Sequence, residues 1–376
     1  MRILIANPFG IGDLLFSLPL IRAIRAAEPD CFIGALCNAR TEELVGCWPE
    51  LNWHHAFEKD EFRRRWKSSR SAGVRFLSET LGMIRDRRFD VLVDLSLGWH
   101  MGFAGLLCGI RRRTGFNFRG RGRFLTEPIP LHGFSSRPVA DYYLDLLRPL
   151  GWPRPERVTW EMNLPPEAAQ RAEEYLGREG LAGANLAAVV PGGGASWGPN
   201  ARYKQWPARQ FAQAADHLSR QRRLKILLVG DAGEESLCKE VAAQMSAPPA
   251  AIVHVPSLLT LAGILRRCRL VLGNDGGALH LAEAMGTPAV SIFGPVDPAV
   301  YGPPPGSSLH RVVAKRLACR PCYRSFRFPP CPWENACLKD LEAAPVLEAA
   351  DGLLEPQPVR RTETPFGTSY RTGLSG

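Results

Sequence analysis

The stretch GNDGGALHLAEAMGTP (273–288) sets an acid, a glycine pair and a histidine close together, at Asp275, Gly276, Gly277 and His280. The apolar run before it ends at Leu272, and glycines open the helix that follows. Such a junction leaves free backbone N–H groups and the positive end of a helix dipole at the carboxyl edge of a sheet, which suits an anion. An aspartate there can accept hydrogen bonds from sugar hydroxyls, and a histidine one turn into the helix can reach a phosphate. The same residues also fit a helix cap and a packed histidine.

Three more strand exits carry chemistry of a similar kind. VVPGGGASWGPNARYKQWP (189–207) is a glycine-rich turn in which Ser196 and Lys204 can serve a diphosphate. It is neither a GxGxxG fingerprint nor a GxxxxGK[ST] loop, so dinucleotide oxidoreductases and P-loop NTPases are unsupported. The plain alternative is a flexible loop ahead of a helix. In GDAGEE (230–235), Glu234 and Glu235 fall where open α/β sheets place a ribose-binding carboxylate, and both also suit a helix's first turn. At the start of the chain, MRILIANPFGIGDLLF runs from an apolar strand through a glycine-flanked turn to Asp13. That acid either caps the helix or does chemistry.

Positive charge is concentrated in EFRRRWKSSR (61–70) and IRRRTGFNFRGRGR (110–123), which includes Arg111, Arg112, Arg113 and Arg119. Arginine binds phosphate through two parallel hydrogen bonds. The interleaved aromatics also suit nucleic acid, although no nucleic-acid-binding module is recognisable. Four of the ten cysteines lie together at Cys319, Cys322, Cys331 and Cys337. Four thiolates in one loop can close a tetrahedral zinc site or hold an iron–sulfur cluster. The spacing is irregular for a zinc module and no histidine lies between them, so a structural zinc is not the favoured reading and no metal ligand is assigned. The other six cysteines read as small buried residues in a reducing compartment.

These residues need a scaffold. The chain has 376 residues, more than one core usually serves, so two domains are expected. Short apolar strands at Arg2–Ala6, Phe32–Leu36 and Val91–Leu95 alternate with helical stretches, which argues for a doubly wound α/β domain. Pro19 implies that the first helix is kinked there or begins nearer Ser17. After a proline-rich break at 149–166 the alternation restarts, with strands at Leu186–Val190, Leu224–Val229 and Leu270–Leu272. Ser257 is placed to cap a helix at Leu258–Cys268. The expected division is 1–170, 171–354 and a disordered tail at 355–376. The net charge of +10 points to a polyanionic partner. No cleaved secretory signal is apparent, and the apolar run 91–110 is interrupted by Asp94, Gly98 and His100, so a soluble cytoplasmic protein is expected.

Taken together, MRILIANPFGIGDLLFSLPLIRAIR, ARYKQWPARQF and LVLGNDGGALHLAEAMGTPAVSIFGPVDP resemble glycosyltransferase family 9, the bacterial heptosyltransferases of the lipopolysaccharide inner core. The resemblance runs from residue 1 to about 340, with three motifs in the family's order. It implies a GT-B fold: two Rossmann-like domains facing each other across a cleft, acceptor on the first and nucleotide sugar, usually ADP-heptose, on the second. It implies inversion at the anomeric carbon with no cofactor. Asp13 matches the general base, kept ionised by the helix N-terminus. Lys204 matches the lysine at the donor diphosphate, Asp275 the acid at the donor sugar, and Gly276 and Gly277 the backbone donors to phosphate. His280 matches the motif histidine near the phosphates, and Glu234 an acid on the ribose. Family members commonly carry Ser or Thr where this chain has Gly276, so one hydroxyl donor is missing.

The expected function is transfer of a heptose-like sugar from a nucleotide diphosphate to a phosphorylated lipopolysaccharide-type acceptor. The basic arginines would read that acceptor, with peripheral contact at the inner membrane face and no nucleic acid. A non-catalytic sugar-nucleotide or polyanion-binding protein on the same scaffold is the alternative.

Overall fold

The structure, a computed structural model, describes residues 1–355, without the side chains of Lys59, Ala195, Ser196 and Pro199. From residue 356 onward the expected tail lies outside the described residues. Alternation holds throughout. The first half runs β1 (Arg2–Asn7), α1 (Ile11–Ala27), β2 (Phe32–Cys37), α2 (Glu42–Gly46), β3 (Trp53–Ala56), α3 (Lys59–Ser68), α4 (Arg70–Asp86), β4 (Val91–Asp94), α5 (His100–Leu107), β5 (Arg112–Phe118), β6 (Glu127–Leu131) and α6 (Val139–Leu144). The second runs α7 (Pro166–Arg178), β7 (Leu186–Val190), α8 (Ala208–Arg222), β8 (Lys225–Val229), α9 (Glu235–Gln244), β9 (Ala251–Val253), α10 (Leu258–Arg267), β10 (Cys268–Asn274), α11 (Gly277–Ala284), β11 (Ala289–Ile292), α12 (Pro298–Tyr301), β12 (His310–Val313), α13 (Ala336–Lys339) and α14 (Ala344–Leu354).

The strands form two parallel six-stranded sheets, ordered β3-β2-β1-β4-β5-β6 and β12-β11-β10-β7-β8-β9. Each sheet reverses its winding beside its first strand, at β1/β4 and at β7/β10. Those switch points open crevices at the carboxyl ends of the strands, where such folds bind ligands. This is the GT-B plan expected from the sequence.

Helix α1 runs unbroken from Ile11 through Pro19. Pro19 supplies no N–H for the carbonyl one turn back, a local loss. Burial on nearly every side outweighs it: Leu14, Leu15, Leu18, Leu20, Ile21 and Ile24 are each at most 2% exposed. Each such side chain contributes roughly 2 kcal/mol by leaving water. The interface between the halves lies along the same helix. Phe16 meets Trp160 edge-on at 5.4 Å, and Trp48 Nε1 donates to Met162 Sδ at 3.1 Å. The Met162 N–H in turn donates to the Ala284 carbonyl of α11. Helix α7 packs on α10, where a Cβ on Gly263 would fall 2.6 Å from the Ala172 methyl. That helix therefore packs with the helices of the second sheet. Ser257 caps α10 as expected, accepting from the Thr260 N–H at 3.0 Å.

Candidate active site

Both crevices contribute to one cluster of charge. Asp275 leaves the end of β10, and Lys204 closes the irregular turn of 195–204 that follows β7. Their side chains pair at 2.6 Å, each 4% exposed. Asn274 fixes this arrangement. Its amide donates to the Pro191 and Gly192 carbonyls at 2.7 and 3.2 Å, and its oxygen accepts from the Trp206 N–H at 3.0 Å. One buried side chain thus ties the two strand exits together. The Lys204 ammonium also lies 4.4 Å over the Trp197 ring. Burial works against ionising Asp275, but the charges of Lys204 and His280 hold its carboxyl below the usual range.

His280, one turn into α11, is buried between two acids. Nδ1 lies 3.2 Å from Glu283 Oε2, and Nε2 lies 3.6 Å from Asp275 Oδ1. Burial opposes its charge, yet Glu283 and Asp275 raise the imidazole to about 9, so it is a cation at neutral pH. The ring also spans the domain interface, edge-on to Phe16 at 4.9 Å. Gly12 makes that approach possible: a Cβ there would sit 2.7 Å from His280 Cδ2.

Asp13 stands in the first turn of α1. Gly10 holds the cap position and no side chain caps the helix, so Asp13 is not its cap. Burial lifts its carboxyl to about 6, with the positive charges of His280 and Lys204 restraining the rise and Asp275 adding to it. The expected picture of a weak base held ionised by the helix dipole is therefore revised. Desolvation outweighs the dipole, and Asp13 is the stronger base for it while remaining mostly ionised at pH 7.

Glu234 lies in the second half of the chain, at the start of α9. Its carboxylate accepts from the Gly194 N–H at 3.3 Å and fills the space beside Gly192, where a Cβ would lie 2.0 Å from Oε1. The glycine turn after β7 and the acid after β8 thus fit each other, and burial raises the Glu234 carboxyl. Glu235 turns outward to Lys239 at 2.7 Å. Gly276 and Gly277 sit at the N-terminus of α11, Gly276 as its cap residue. Ser196 lies on the 195–204 turn, with its side chain outside the described residues.

The arginines divide. Arg111, Arg112 and Arg113 stand at the start of β5, the opposite edge of the parallel sheet from Asp13. Arg112 is held by Glu127 through two contacts at 2.9 and 3.3 Å and by the Pro149 carbonyl at 2.9 Å. Arg113 bonds the Phe124 and Ile110 carbonyls at 2.7 and 2.5 Å. These two tie strands and loops together at the edge of the sheet away from Asp13. Arg119 follows the carboxyl end of β5, on the cleft side, its guanidinium 4.9 Å over Phe118. In the other basic cluster, Arg65 pairs with Glu61 at 2.6 Å and Arg63 with Asp60 at 3.3 Å.

The four clustered cysteines are free thiols around a cavity of about 30 Å3. Among the described residues no three His, Cys, Asp or Glu side chains are placed to hold a metal ion. No described helix is long and apolar enough to cross a membrane.

Sequence reasoning missed Glu283, Asn274 and Trp197. Glu283 lies three residues after His280, so it shares a helix face with it, and that spacing was a usable signal. Asn274 and Trp197 act through tertiary contacts that no local pattern encodes.

The model of glycosyltransferase family 9 (heptosyltransferase) matches residues 81–327, more than half of the chain. Lipopolysaccharide heptosyltransferase 3 of Escherichia coli is 24% identical over 301 residues, 78% of this chain and 83% of that protein. The structure of E. coli ADP-heptose lps heptosyltransferase II superposes with a TM-score of 0.73 at 21% identity, covering 94% of this chain and 98% of that one. The family 9 glycosyl transferase of Veillonella parvula gives 0.75 at 21% identity, covering 94% and 97%. The two-sheet fold is shared with both structures, and by the match over most of its length this chain belongs to glycosyltransferase family 9.

Proposed function

We propose that the chain transfers a heptose-like sugar from ADP-heptose to a phosphorylated acceptor of the lipopolysaccharide core, with inversion and without a metal. One observation carries this: Asp13 of the first domain and the Lys204–Asp275–His280 cluster of the second meet across a single cleft. In the proposed step the acceptor hydroxyl oxygen attacks the anomeric carbon as its proton passes to Asp13. The bond from that carbon to the diphosphate oxygen breaks, and the electron pair leaves with the nucleoside diphosphate. Lys204, cationic His280 and the α11 N-terminus offset the charge that develops there. Asp275 and Glu234 are positioned to accept hydrogen bonds from the donor's sugar and ribose. The similarity to lipopolysaccharide heptosyltransferase 3 and to ADP-heptose lps heptosyltransferase II of E. coli supports the donor and acceptor classes. Peripheral contact with an anionic inner membrane face is part of the same reading, supported by the net charge of +10. A thermal-shift panel of nucleotide diphosphates and their sugars tests the donor class. ADP and ADP-heptose should raise the melting temperature more than the corresponding uridine and guanosine compounds. No preference for the adenine compounds would overturn the donor assignment.

Two further outcomes are expected. Because Lys204 and His280 supply the positive charge at the diphosphate, prolonged dialysis against a chelator should leave turnover unchanged. A loss of turnover restored by a divalent ion would contradict metal independence. Arg119→Ala should raise the acceptor KM severalfold and flatten its rise with ionic strength, since exposed phosphate contacts are screened by salt. Arg112→Ala should instead lower the melting temperature and leave the acceptor KM unchanged. The opposite pattern would return the acceptor to the far edge of the sheet.

A further inference from the structure

The cysteine-rich segment 319–337 does more than fill the edge of the second domain. It starts beyond β12, where the N–H groups of Cys322 and Tyr323 both donate to the Pro295 carbonyl at 3.1 Å. Arg320, also at this base, bonds the Gly294 and Lys315 carbonyls. The segment then reaches the other domain. Phe326 sits edge-on to Phe118, at the carboxyl end of β5, at 5.0 Å and to Phe134, just beyond β6, at 5.1 Å. It returns through Phe328, 4.9 Å from Trp197, to α13. The thiols of Cys319, Cys322, Cys331 and Cys337 surround the small cavity at its base, with Tyr203 and Phe328. The segment therefore crosses the cleft from one domain to the other, seated on aromatic rings at both ends.

Tyr323 lies along that crossing. Its ring is edge-on to Trp197 at 4.7 Å and lies 6.0 Å from Tyr301. Trp197 in turn carries the Lys204 ammonium on its face, so Tyr323 stands one ring away from the Lys204–Asp275 pair. Burial, with the negative charges of Asp13 and Asp275, pushes the phenol well above its usual range, so it stays protonated and can donate a hydrogen bond. A partly buried phenol beside a lysine and two acids suits an oxygen-rich anionic ligand.

We propose that segment 319–337 is a strap completing the donor site across the cleft, and that Tyr323 contacts the substrate, donating its phenol O–H to an oxygen of the nucleoside-diphosphate sugar. This rests on the function proposed above and adds a binding residue and a closing element to it. Phe326 acts through the strap as a positioning residue.

The test uses the full chain with ADP and ADP-heptose. Tyr323→Phe deletes only the hydroxyl and keeps the ring contacts, so the melting temperature should not move. Donor affinity by calorimetry should fall roughly 3- to 10-fold, the size expected for one hydrogen bond. Loss with both ligands puts the contact on the diphosphate, and loss with ADP-heptose alone puts it on the sugar. Phe326→Ala should raise the donor KM by a similar factor, and the double variant should be no worse than the poorer single one. Unchanged donor affinity and kinetics in Tyr323→Phe, beside an active wild type, overturn this inference alone. A wild type that binds neither nucleotide and transfers no sugar from ADP-heptose overturns the functional reading and this inference together.

Discussion

Asp13→Asn is expected to reduce transfer by roughly 100- to 10,000-fold, the usual contribution of a general base, while donor affinity and melting temperature stay near those of the wild type. Asparagine has almost the same shape, but its amide cannot take the acceptor's proton. Because Gly10 rather than Asp13 occupies the cap position of α1, no helix cap is lost with the carboxylate. The rate should also carry the pH signature of the site. Wild-type turnover should rise with an apparent pKa near 6 as Asp13 ionises, then fall near 9 as His280 loses its proton. The acid limb should vanish in Asp13→Asn and the alkaline limb should remain. A variant with near-wild-type turnover, or one that keeps the limb near 6, would show that Asp13 only fills space at the cleft.

Lys204→Ala should act on stability and binding together. The Lys204–Asp275 pair is 4% exposed at each partner, so removing the ammonium leaves the buried carboxylate only His280, at 3.6 Å, as a positive partner. Breaking a buried pair from one side costs about 3–5 kcal/mol, more than most single substitutions. Affinity for both ADP and ADP-heptose should fall, because the diphosphate loses its cation. Asp275→Ala should weaken the sugar nucleotide and affect free ADP much less. The double variant Lys204→Ala/Asp275→Ala should regain part of the lost stability, since neither charge is then buried alone, but none of the affinity. Chemical denaturation and calorimetry on the three variants check this. Equal affinity for donor in all of them would move the donor away from the second crevice.

How much of this was legible beforehand depends on where the signal lay. Continuous apolar runs such as Arg2–Ala6 and Leu186–Val190 marked strands covered on both faces, and the strand exits offered Asp13, Lys204, Asp275 and His280 as candidates, which the fold brings together. Strands β5 and β6 were hidden. The first begins in a run of arginines that reads as a solvated patch, and the second carries Pro128 and Pro130. Proline inside a strand is tolerated at a sheet edge, and β6 is an edge strand, so this was the clue to its position. Without β5, nothing in the run of arginines says that Arg112 and Arg113 begin that strand, at the sheet edge away from Asp13, while Arg119 follows its carboxyl end. The rise of Asp13 to about 6 was also out of reach, because it comes from burial between two domains. Tyr323 and Phe326 stayed silent because what they touch is distant in sequence.

Heptosyl transfer across the cleft would show in the mass of the acceptor. Purified chain would be incubated with ADP-heptose and a lipopolysaccharide inner-core acceptor lacking the heptose, and the products resolved by mass spectrometry. Expected is an acceptor heavier by one heptosyl unit, with ADP released in equal amount and both products formed roughly 100- to 10,000-fold more slowly by Asp13→Asn. Binding of ADP-heptose with no change in acceptor mass, under conditions where the chain is folded, would contradict the claim and leave a sugar-nucleotide-binding protein on this scaffold.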